Sequence, residues 1–466
     1  MSFLKSRDEK FLKISSSLHH DSNIKKYDLL VNAVHTLNLA KSGYISSEEA
    51  KEILTALSKI SKIDFEGYED VEEAVESEVV KITDAGKKMH TALSRNDEVA
   101  TCLRMFARDK LLELAEKVCK LRSSILKKAE ENINFLMPGF THFQPAQPTR
   151  ISHHLLAYVS MLERDFRRII DAFKRSNLCP LGSAAFASSP YNLDRSFAAE
   201  LLGFDDLIEH SEDAVSSRDF LIESVYVAAQ LLLDLSRIAE EIVLFSNPNF
   251  NYIKLPEEFS STSSIMPQKK NPDLAELLRA RASKLVGNLT AAMCTYKALP
   301  FSYNRDFQEM NPILYDSLIG AVDFVEVFSS MFEKLEFNRE KLKEDSSKFS
   351  TTATGLADYL VINFGIPFRI AYKIVGKHLK GEKIEDAARE FGYDVKIDEN
   401  LDAEFIVESR KNIGGTCKKE VERMMSNALE KLSRDVMEVE RYKKDVENRI
   451  LKLRKILNEM GVETWF

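Results

Sequence analysis

Apolar side chains recur every three or four residues over most of this chain, which is the period of an amphipathic helix. Five segments keep that period over many turns, at residues 97–132, 149–176, 219–245, 273–299 and 313–345. Because short polar loops separate these segments, the helices must bury their apolar faces against one another. The pattern therefore predicts an all-α fold built around a long central helical bundle.

Shorter helical patterns stand on either side of the long segments. Three precede them, at residues 21–40, 46–60 and 69–83. Three short patterns and one long charged pattern follow them, at residues 355–364, 368–379, 383–391 and 417–460. The chain is thus expected to divide into an N-terminal helical domain of residues 1–95, a central bundle of residues 96–350 and a C-terminal helical domain of residues 351–466.

Composition agrees with a helical globular protein. The 466 residues include only 16 glycines and 12 prolines, below average usage of roughly 7% and 5%, and a shortage of helix breakers favours helix. The formal net charge is −8, which argues against a general role in binding nucleic acid or a membrane surface. The most apolar helix, 219–245, contains several charged side chains, so we expect a buried bundle helix there and not a membrane span.

Cysteine usage and motif content narrow the class further. The five cysteines are widely spaced and form no Cys-x-x-Cys pair, so reduced thiols in the cytoplasm are expected. The N-terminal stretch is charged and lacks the apolar segment of a secretory signal. No G-x-G-x-x-G, Walker A or H-E-x-x-H motif occurs. We therefore expect a small-molecule substrate, no cofactor and no metal.

The most distinctive segment is Ser-Ser-Thr-Ser-Ser-Ile-Met-Pro-Gln-Lys-Lys-Asn-Pro-Asp, residues 260–273. Clustered hydroxyl groups compete for backbone hydrogen bonds, so its first half is not expected to hold a helix or strand. Its end predicts a helix start, with Asn271 as the N-cap, Pro272 at the first helical position and Asp273 in the first turn. Two lysines precede the cap, and cations beside a helix N-terminus form an anion site.

Three further polar segments interrupt the helices, at residues 89–104, 137–150 and 179–195. The first places Arg95 and Asn96 at the start of a long helix, where they suit carboxylate recognition. The second contains three prolines and a glycine, so no regular structure is expected around His142. The third is rich in small residues and is expected to offer free backbone N–H groups. Taken alone, His142 fits a structural histidine better than a catalyst.

Taken in order, residues 90–101, 137–148 and 260–273 resemble the three sequence blocks of the fumarase/aspartase superfamily. Within it, the Gln-Lys-Lys of the third block and Tyr-Asn-Arg-Asp-Phe-Gln-Glu at residues 303–309 resemble the argininosuccinate lyase family. The resemblance covers nearly the whole chain. It implies a homotetramer whose active sites each combine blocks from three subunits. It also implies the reversible anti β-elimination of argininosuccinate to arginine and fumarate in arginine biosynthesis.

The resemblance also implies roles for individual residues. The catalytic base would be Ser263, while Lys269 and Asn271 would stabilise the carboxylate next to the carbanion. His142 would stand on the acid side, oriented by Glu276. The positions implied to bind substrate are Ser17, Asp21, Asn96, Thr141, Asn271, Tyr303 and Gln308.

Three positions depart from the family pattern. Leu93 stands where relatives usually have arginine, Glu73 where histidine is common and Asn311 where some have lysine. Each change removes positive charge near an anionic ligand or adds negative charge. Two other functions therefore stay open: a sister lyase acting on adenylosuccinate or aspartate, and a non-catalytic scaffold on the same fold.

Overall fold

The computed structural model describes residues 8–466, most of which are helical, while residues 1–7 of the expected N-terminal domain lie outside the described part. The α-helices are α1 (Glu9–Ser15), α2 (Leu18–Asp21), α3 (Lys25–Lys41), α4 (Ser47–Ile60), α5 (Val71–Ile82), α6 (Arg95–Glu131), α7 (Ile151–Ser176), α8 (Arg195–Leu201), α9 (Ser211–Ser216), α10 (Asp219–Ser246), α11 (Asp273–Tyr296), α12 (Asn311–Lys334), α13 (Arg339–Ser346), α14 (Ala353–Phe364), α15 (Phe368–His378), α16 (Ile384–Glu390), α17 (Ala403–Ser409) and α18 (Lys418–Glu459). The all-α prediction is confirmed.

The strands are short and form two-stranded pairs. They are β1 (Leu136–Thr141), β2 (Gln144–Arg150), β3 (Leu178–Cys179), β4 (Asp206–Leu207), β5 (Ile253–Lys254), β6 (Ser261–Thr262), β7 (Lys270–Asn271) and β8 (Glu336–Phe337). β1 pairs with β2, β3 with β4, β5 with β8 and β6 with β7. Single turns of 3-10 helix cover Asp84–Lys88, Glu257–Phe259 and Arg305–Met310.

Five long helices pack side by side as the bundle. α6 contacts α7 and α12, and α10 contacts α7, α11 and α12. Apolar residues occupy most faces of α10, so this helix is the one best suited to lie among neighbours. Among residues 8–466, no helix combines the length and apolar character that a membrane span requires.

The flanking helices attach to this bundle in two ways. Helices α3, α4 and α5 share one continuous apolar core with it, and α18 packs along α6 and α7. Helices α14 to α16 enclose a small core of their own around Leu360, Ile366 and Ile374. The domain boundaries at residues 95 and 350 stay a prediction.

The expectation of irregular structure over residues 137–150 is wrong, because this segment is an antiparallel hairpin. Leu136 lies opposite Arg150 and Pro138 opposite Pro148, with an irregularity between Gly139 and Phe140. In a two-stranded ribbon each strand has one edge that needs no backbone N–H donor, so prolines are tolerated there. The prolines therefore do not prevent the two strands from pairing.

The single helix expected over residues 313–345 is two helices. α12 ends at Lys334 and α13 begins at Arg339, with β8 between them pairing with β5. The second start was visible in the sequence as Asn338, whose side chain caps α13 by accepting a hydrogen bond from the Lys341 backbone N–H at 3.3 Å.

The start of α11 also differs from the prediction. Pro272, and not Asn271, occupies the N-cap position, while Asp273 lies in the first turn as expected. Asn271 instead belongs to β7, and its Nδ2 donates to Ser261 Oγ at 3.2 Å. Asp273 Oδ2 accepts from the Ser261 backbone N–H at 2.7 Å. These bonds close the two ends of the serine-rich segment into a loop, so Ser261 is in a strand where none was expected.

Candidate active site

A pocket of about 140 Å³ opens between the N-terminal helices and the bundle. It is lined from α2, α5, α6 and α12, by the residue before α10 and by the segment before α12. Five of the seven expected substrate-binding residues line it, namely Ser17, Asp21, Asn96, Tyr303 and Gln308. Segments that are distant in sequence therefore meet here.

The one-turn helix α2 holds Ser17 and Asp21 together. Ser17 precedes this helix, and its Oγ donates to Asp21 Oδ2 at 2.7 Å. The backbone N–H of Ser17 donates to the Glu69 carbonyl at 2.9 Å, which fixes the turn against the start of α5. Asp21 is only 3% exposed, and burial raises the pKa of its carboxyl to about 6 in spite of the hydrogen bond from Ser17.

The start of α6 positions Asn96. Ser94 and Asp97 form a capping box there, and Asn96 Nδ2 donates to the Ala185 carbonyl at 2.9 Å. Asp97 Oδ2 accepts from the backbone N–H groups of Gly182 and Ala184, both at 2.9 Å. Two of the backbone N–H groups that residues 179–195 offer are therefore already bound to Asp97.

The segment before α12 is tied to the N-terminal helices. Gln308 Nε2 and Arg305 Nη2 both donate to the Ser15 carbonyl at 2.9 Å, and Arg305 Nη2 lies 2.7 Å from Glu69 Oε1. The guanidinium of Arg218 lies over the Phe307 ring, 4.8 Å from its centroid. Burial lowers the pKa of Arg218 to about 10.

Charges of both signs wall the pocket. The acidic side chains are Asp21, Asp70 and Glu72, and the basic ones are Arg95, Arg218 and Arg305. Arg95 and Asp70 form an ion pair at 3.0 Å. Within residues 8–466, no three histidine, cysteine or acidic side chains lie together as metal ligands. The mixture suits a ligand that carries both charges itself.

The remaining expected site residues lie outside this pocket. Thr141 and His142 stand exposed at the tip of the β1–β2 hairpin, where His142 has a positive φ of 52°. Glu276 is exposed in the first turn of α11, with Arg279 Nη2 at 3.9 Å. Among the described residues, no hydrogen bond or ion pair joins His142 to Glu276. One chain thus does not assemble the acid side.

The serine-rich loop lies exposed on the protein and presents Ser263, Lys269 and Asn271. Ser263 Oγ accepts hydrogen bonds from the backbone N–H groups of Ile265 at 3.4 Å and Met266 at 3.1 Å. Such donors favour the ionised form of an oxygen acid. Lys270 binds Glu257 at 2.5 Å, whereas Lys269 is exposed. The loop therefore carries a hydroxyl that accepts backbone hydrogen bonds and an exposed cation.

Comparison with known proteins decides the family. A lyase family model matches residues 1–287, and an argininosuccinate lyase C-terminal model matches residues 350–391. The chain is 60% identical to the argininosuccinate lyase of Archaeoglobus fulgidus over 436 residues, which cover 90% of each chain. The chain belongs to the argininosuccinate lyase family. It is 41% identical to the enzyme of Methanocaldococcus jannaschii over 96% of this chain and 95% of that one.

Solved structures agree with this membership of the argininosuccinate lyase family, whose members are carbon–nitrogen lyases. An EDDS lyase in complex with formate superposes with a TM-score of 0.85 at 27% identity, covering 98% of this chain and 96% of that one. A class II fumarase from Schistosoma mansoni has a TM-score of 0.67 at 19% identity, over 79% of this chain and 87% of that one, which shows the fold.

The structure also revises which departures from the family pattern touch the pocket. Leu93 is 8% exposed and belongs to the apolar core, so it does not line the pocket. Relatives that have this histidine carry it in the order Glu-Asp-Val-His. In this chain Glu69-Asp70-Val71 is followed by Glu72, so the assignment of that position to Glu73 is wrong. Glu72 and Asn311 both line the pocket.

Sequence reasoning gave no site role to Glu72 or Arg218, and it singled out Asn311 only as a departure from the family pattern. Each is at most 8% exposed and polar. Acidic, amide and basic side chains at such depth need partners. Their burial depends on packing between elements that are distant in sequence, so no local signal marked Glu72 or Arg218.

Proposed function

We propose that this protein is an argininosuccinate lyase that splits argininosuccinate reversibly into arginine and fumarate by anti β-elimination. The observation that carries the proposal is the pocket that unites Ser17, Asp21, Asn96, Tyr303 and Gln308. These residues come from three separate parts of the chain. Their convergence is what the family resemblance implies for a substrate site, and a random assignment would not produce it.

The size and charge of the pocket indicate which end of the substrate it receives. A pocket that buries a whole small ligand usually has about 300–1,000 Å³, and this one has about 140 Å³. It therefore holds one end only. Three carboxylates in the wall disfavour the dianionic succinate end and suit the amino-acid end of the arginine moiety, which carries an ammonium and a carboxylate.

The serine-rich loop then supplies the chemistry at the succinate end. Ser263 Oγ removes the proton beside a carboxylate, and the two backbone N–H donors to Oγ stabilise its anionic form. Lys269 and Asn271 hold the carboxylate on which negative charge develops. His142 with Thr141 acts on the side of the departing guanidinium nitrogen, and Glu276 orients the histidine.

A homotetramer brings these parts together. Helices α10 and α11 expose a set of large apolar side chains, at Tyr226, Leu233, Leu277, Val286 and Met293. Two pairs of them are one heptad apart on a single helix, which suits packing against further long helices. Each site would then combine the pocket of one subunit with the hairpin and the loop of two others.

Disrupting that interface should abolish activity without unfolding the subunit. Val286→Glu combined with Met293→Glu places two charges in the apolar face of α11, so we expect smaller species in analytical ultracentrifugation and loss of fumarate production. The matched control is Met437→Glu on α18, where the methionine is 66% exposed. A doubly substituted protein that remains tetrameric would contradict the interface.

The activity itself is tested with purified protein and argininosuccinate, by the ultraviolet absorbance of fumarate. We expect fumarate to form in step with arginine. A folded tetramer that forms none would overturn the proposal. Release of fumarate from adenylosuccinate, aspartate or malate would support a sister lyase, whereas binding of argininosuccinate without turnover would support a scaffold.

The compartment and the role follow from the same proposal. All five cysteines are free, and Cys294 is exposed. Free thiols persist in a reducing compartment, so we place the enzyme in the cytoplasm. There it serves arginine biosynthesis.

A further inference from the structure

The carboxyl group of Glu72 is buried, and one of its oxygens lacks a hydrogen-bond donor. Glu72 lies in the first turn of α5, is 6% exposed and lines the pocket. Its Oε1 has no hydrogen-bond partner among residues 8–466. A buried carboxylate without a partner is strongly unfavourable, so such a group points to a ligand that supplies the missing donor.

The neighbours of Glu72 do not supply that donor. Burial and the nearby charges of Asp70 and Asp21 raise the pKa of the Glu72 carboxyl. Arg95 lies close, but its Nη1 is engaged 3.0 Å from Asp70 Oδ2. A cationic group entering the pocket would balance the negative charge that the protein leaves uncompensated.

Other unpartnered atoms in the pocket wall describe the ligand further. Within the described part of the chain, Asn311 Oδ1 also lacks a partner, and so does Arg218 Nε. The Nη1 of Arg218 is occupied by the carbonyls of Val215 and Ser217, both at 3.1 Å. The wall thus offers two free acceptors, suited to an ammonium, and one free cationic donor, suited to a carboxylate.

We propose that Glu72, assisted by the Asn311 amide oxygen, recognises the α-ammonium group of the arginine moiety and makes the site specific for an α-amino acid. This inference rests on the proposed function, because it takes arginine as one product. Glu72 is then a specificity-determining residue at a position where relatives commonly have histidine. Its negative charge binds the ammonium group.

The test uses the reverse reaction with two guanidino compounds as substrates. L-Arginine carries the α-ammonium group, and 5-guanidinopentanoic acid lacks only that group. Each is combined with fumarate, and the fall in fumarate absorbance gives kcat and KM. For the unaltered enzyme we expect a KM for arginine that is lower by on the order of 10- to 100-fold, as one charge-assisted hydrogen bond contributes.

Glu72→Gln should then change the KM for arginine and leave the KM for the analogue unchanged. We expect the KM for arginine to rise by on the order of 10- to 100-fold, with kcat little changed and the analogue unaffected. The matched control is Glu73→Gln, because Glu73 accepts from the Glu69 backbone N–H at 3.0 Å and does not line the pocket. It should leave both KM values unchanged.

Each other outcome decides against the inference. If Glu72→Gln changes the KM values for arginine and the analogue equally, or leaves the KM for arginine unchanged, the inference is overturned while the proposed function stands. No consumption of fumarate by the unaltered enzyme would overturn both. If Glu72→Gln does not fold, the KM values for arginine and the analogue are compared between the unaltered enzyme and Asn311→Leu. Asn311→Leu should raise the KM for arginine alone.

Discussion

Replacing Ser263 with alanine is expected to lower kcat by about 10²- to 10⁴-fold, the range that a positioned general base supplies. The reason is local. Ser263 Oγ already accepts two backbone N–H groups, and in the proposed mechanism these donors would stabilise the alkoxide that removes the substrate proton. Alanine keeps the loop but has no oxygen to ionise. The measurement is the initial rate of fumarate formation at saturating argininosuccinate.

The control for this prediction is the next residue. Ser264 is exposed on the same loop, so Ser264→Ala removes the same atom one position away. We expect its kcat to stay within a few-fold of the unaltered enzyme. A Ser263→Ala protein that retains full kcat would show that another group is the base, and equal losses in both variants would indicate damage to the loop rather than loss of a base.

The serine-rich loop also shows why one chain presents an incomplete site. Most of the loop, including Lys269, is exposed, whereas the residues proposed to hold the amino-acid end line a pocket. A base needs exclusion of water and a fixed distance to the substrate. Neighbouring subunits that cover α10 and α11 would provide both, so assembly and catalysis should be lost together.

The sequence predicted the long helices well because their signals are local. The bounds of α6, α7 and α10 lie within two residues of the predicted ones, since periodic apolar residues and end signals act over a few turns. The break before α13 was missed although Asn338 marked it. A continuous apolar pattern outweighed one capping residue in that prediction.

The hairpin was missed because its support is distant in sequence. Arg410 Nη1 donates to Gln147 Oε1 at 2.6 Å, Arg150 Nη2 donates to Glu404 Oε1 at 2.6 Å, and His153 Nε2 lies 3.0 Å from the Gly414 carbonyl oxygen. These contacts hold the strands in spite of their prolines. No window of the sequence near the hairpin contains them, so the position of the tip could only come from the structure.

Part of the candidate site could be predicted from the sequence, and part of it required the structure. The identity of its residues came from motif resemblance, which reads sequence order. Burial, unpaired atoms and the place of Glu72 in the pocket wall came from packing. Because neighbouring residues on a helix face different directions, an error of one position moved the expected charge from the pocket to a backbone contact. Counting residues along the sequence corrects the position, and the structure shows that Glu72 lines the pocket whereas Glu73 does not.

Asp435→Ala is expected to be the most destabilising single change considered, lowering the apparent free energy of unfolding by about 3–5 kcal/mol. Asp435 on α18 and Arg122 on α6 are both fully buried, with Asp435 Oδ2 and Arg122 Nη1 2.5 Å apart. Arg167 binds the other carboxylate oxygen. Removing the carboxylate leaves Arg122 as an uncompensated buried charge, because its Nε and Nη2 have no partner either.

Two further variants separate a lost charge from a lost contact. Glu438→Ala removes a partly exposed carboxylate that lies 2.7 Å from Arg167, and an ion pair of this kind contributes only about 0–1 kcal/mol. Arg122→Met combined with Asp435→Leu removes both buried charges, so it should recover most of the stability. Thermal unfolding is compared at one subunit concentration, since dissociation of an oligomer shifts the midpoint. If Asp435→Ala and Glu438→Ala unfold at the same temperature, the buried pair does not hold α18 against the bundle.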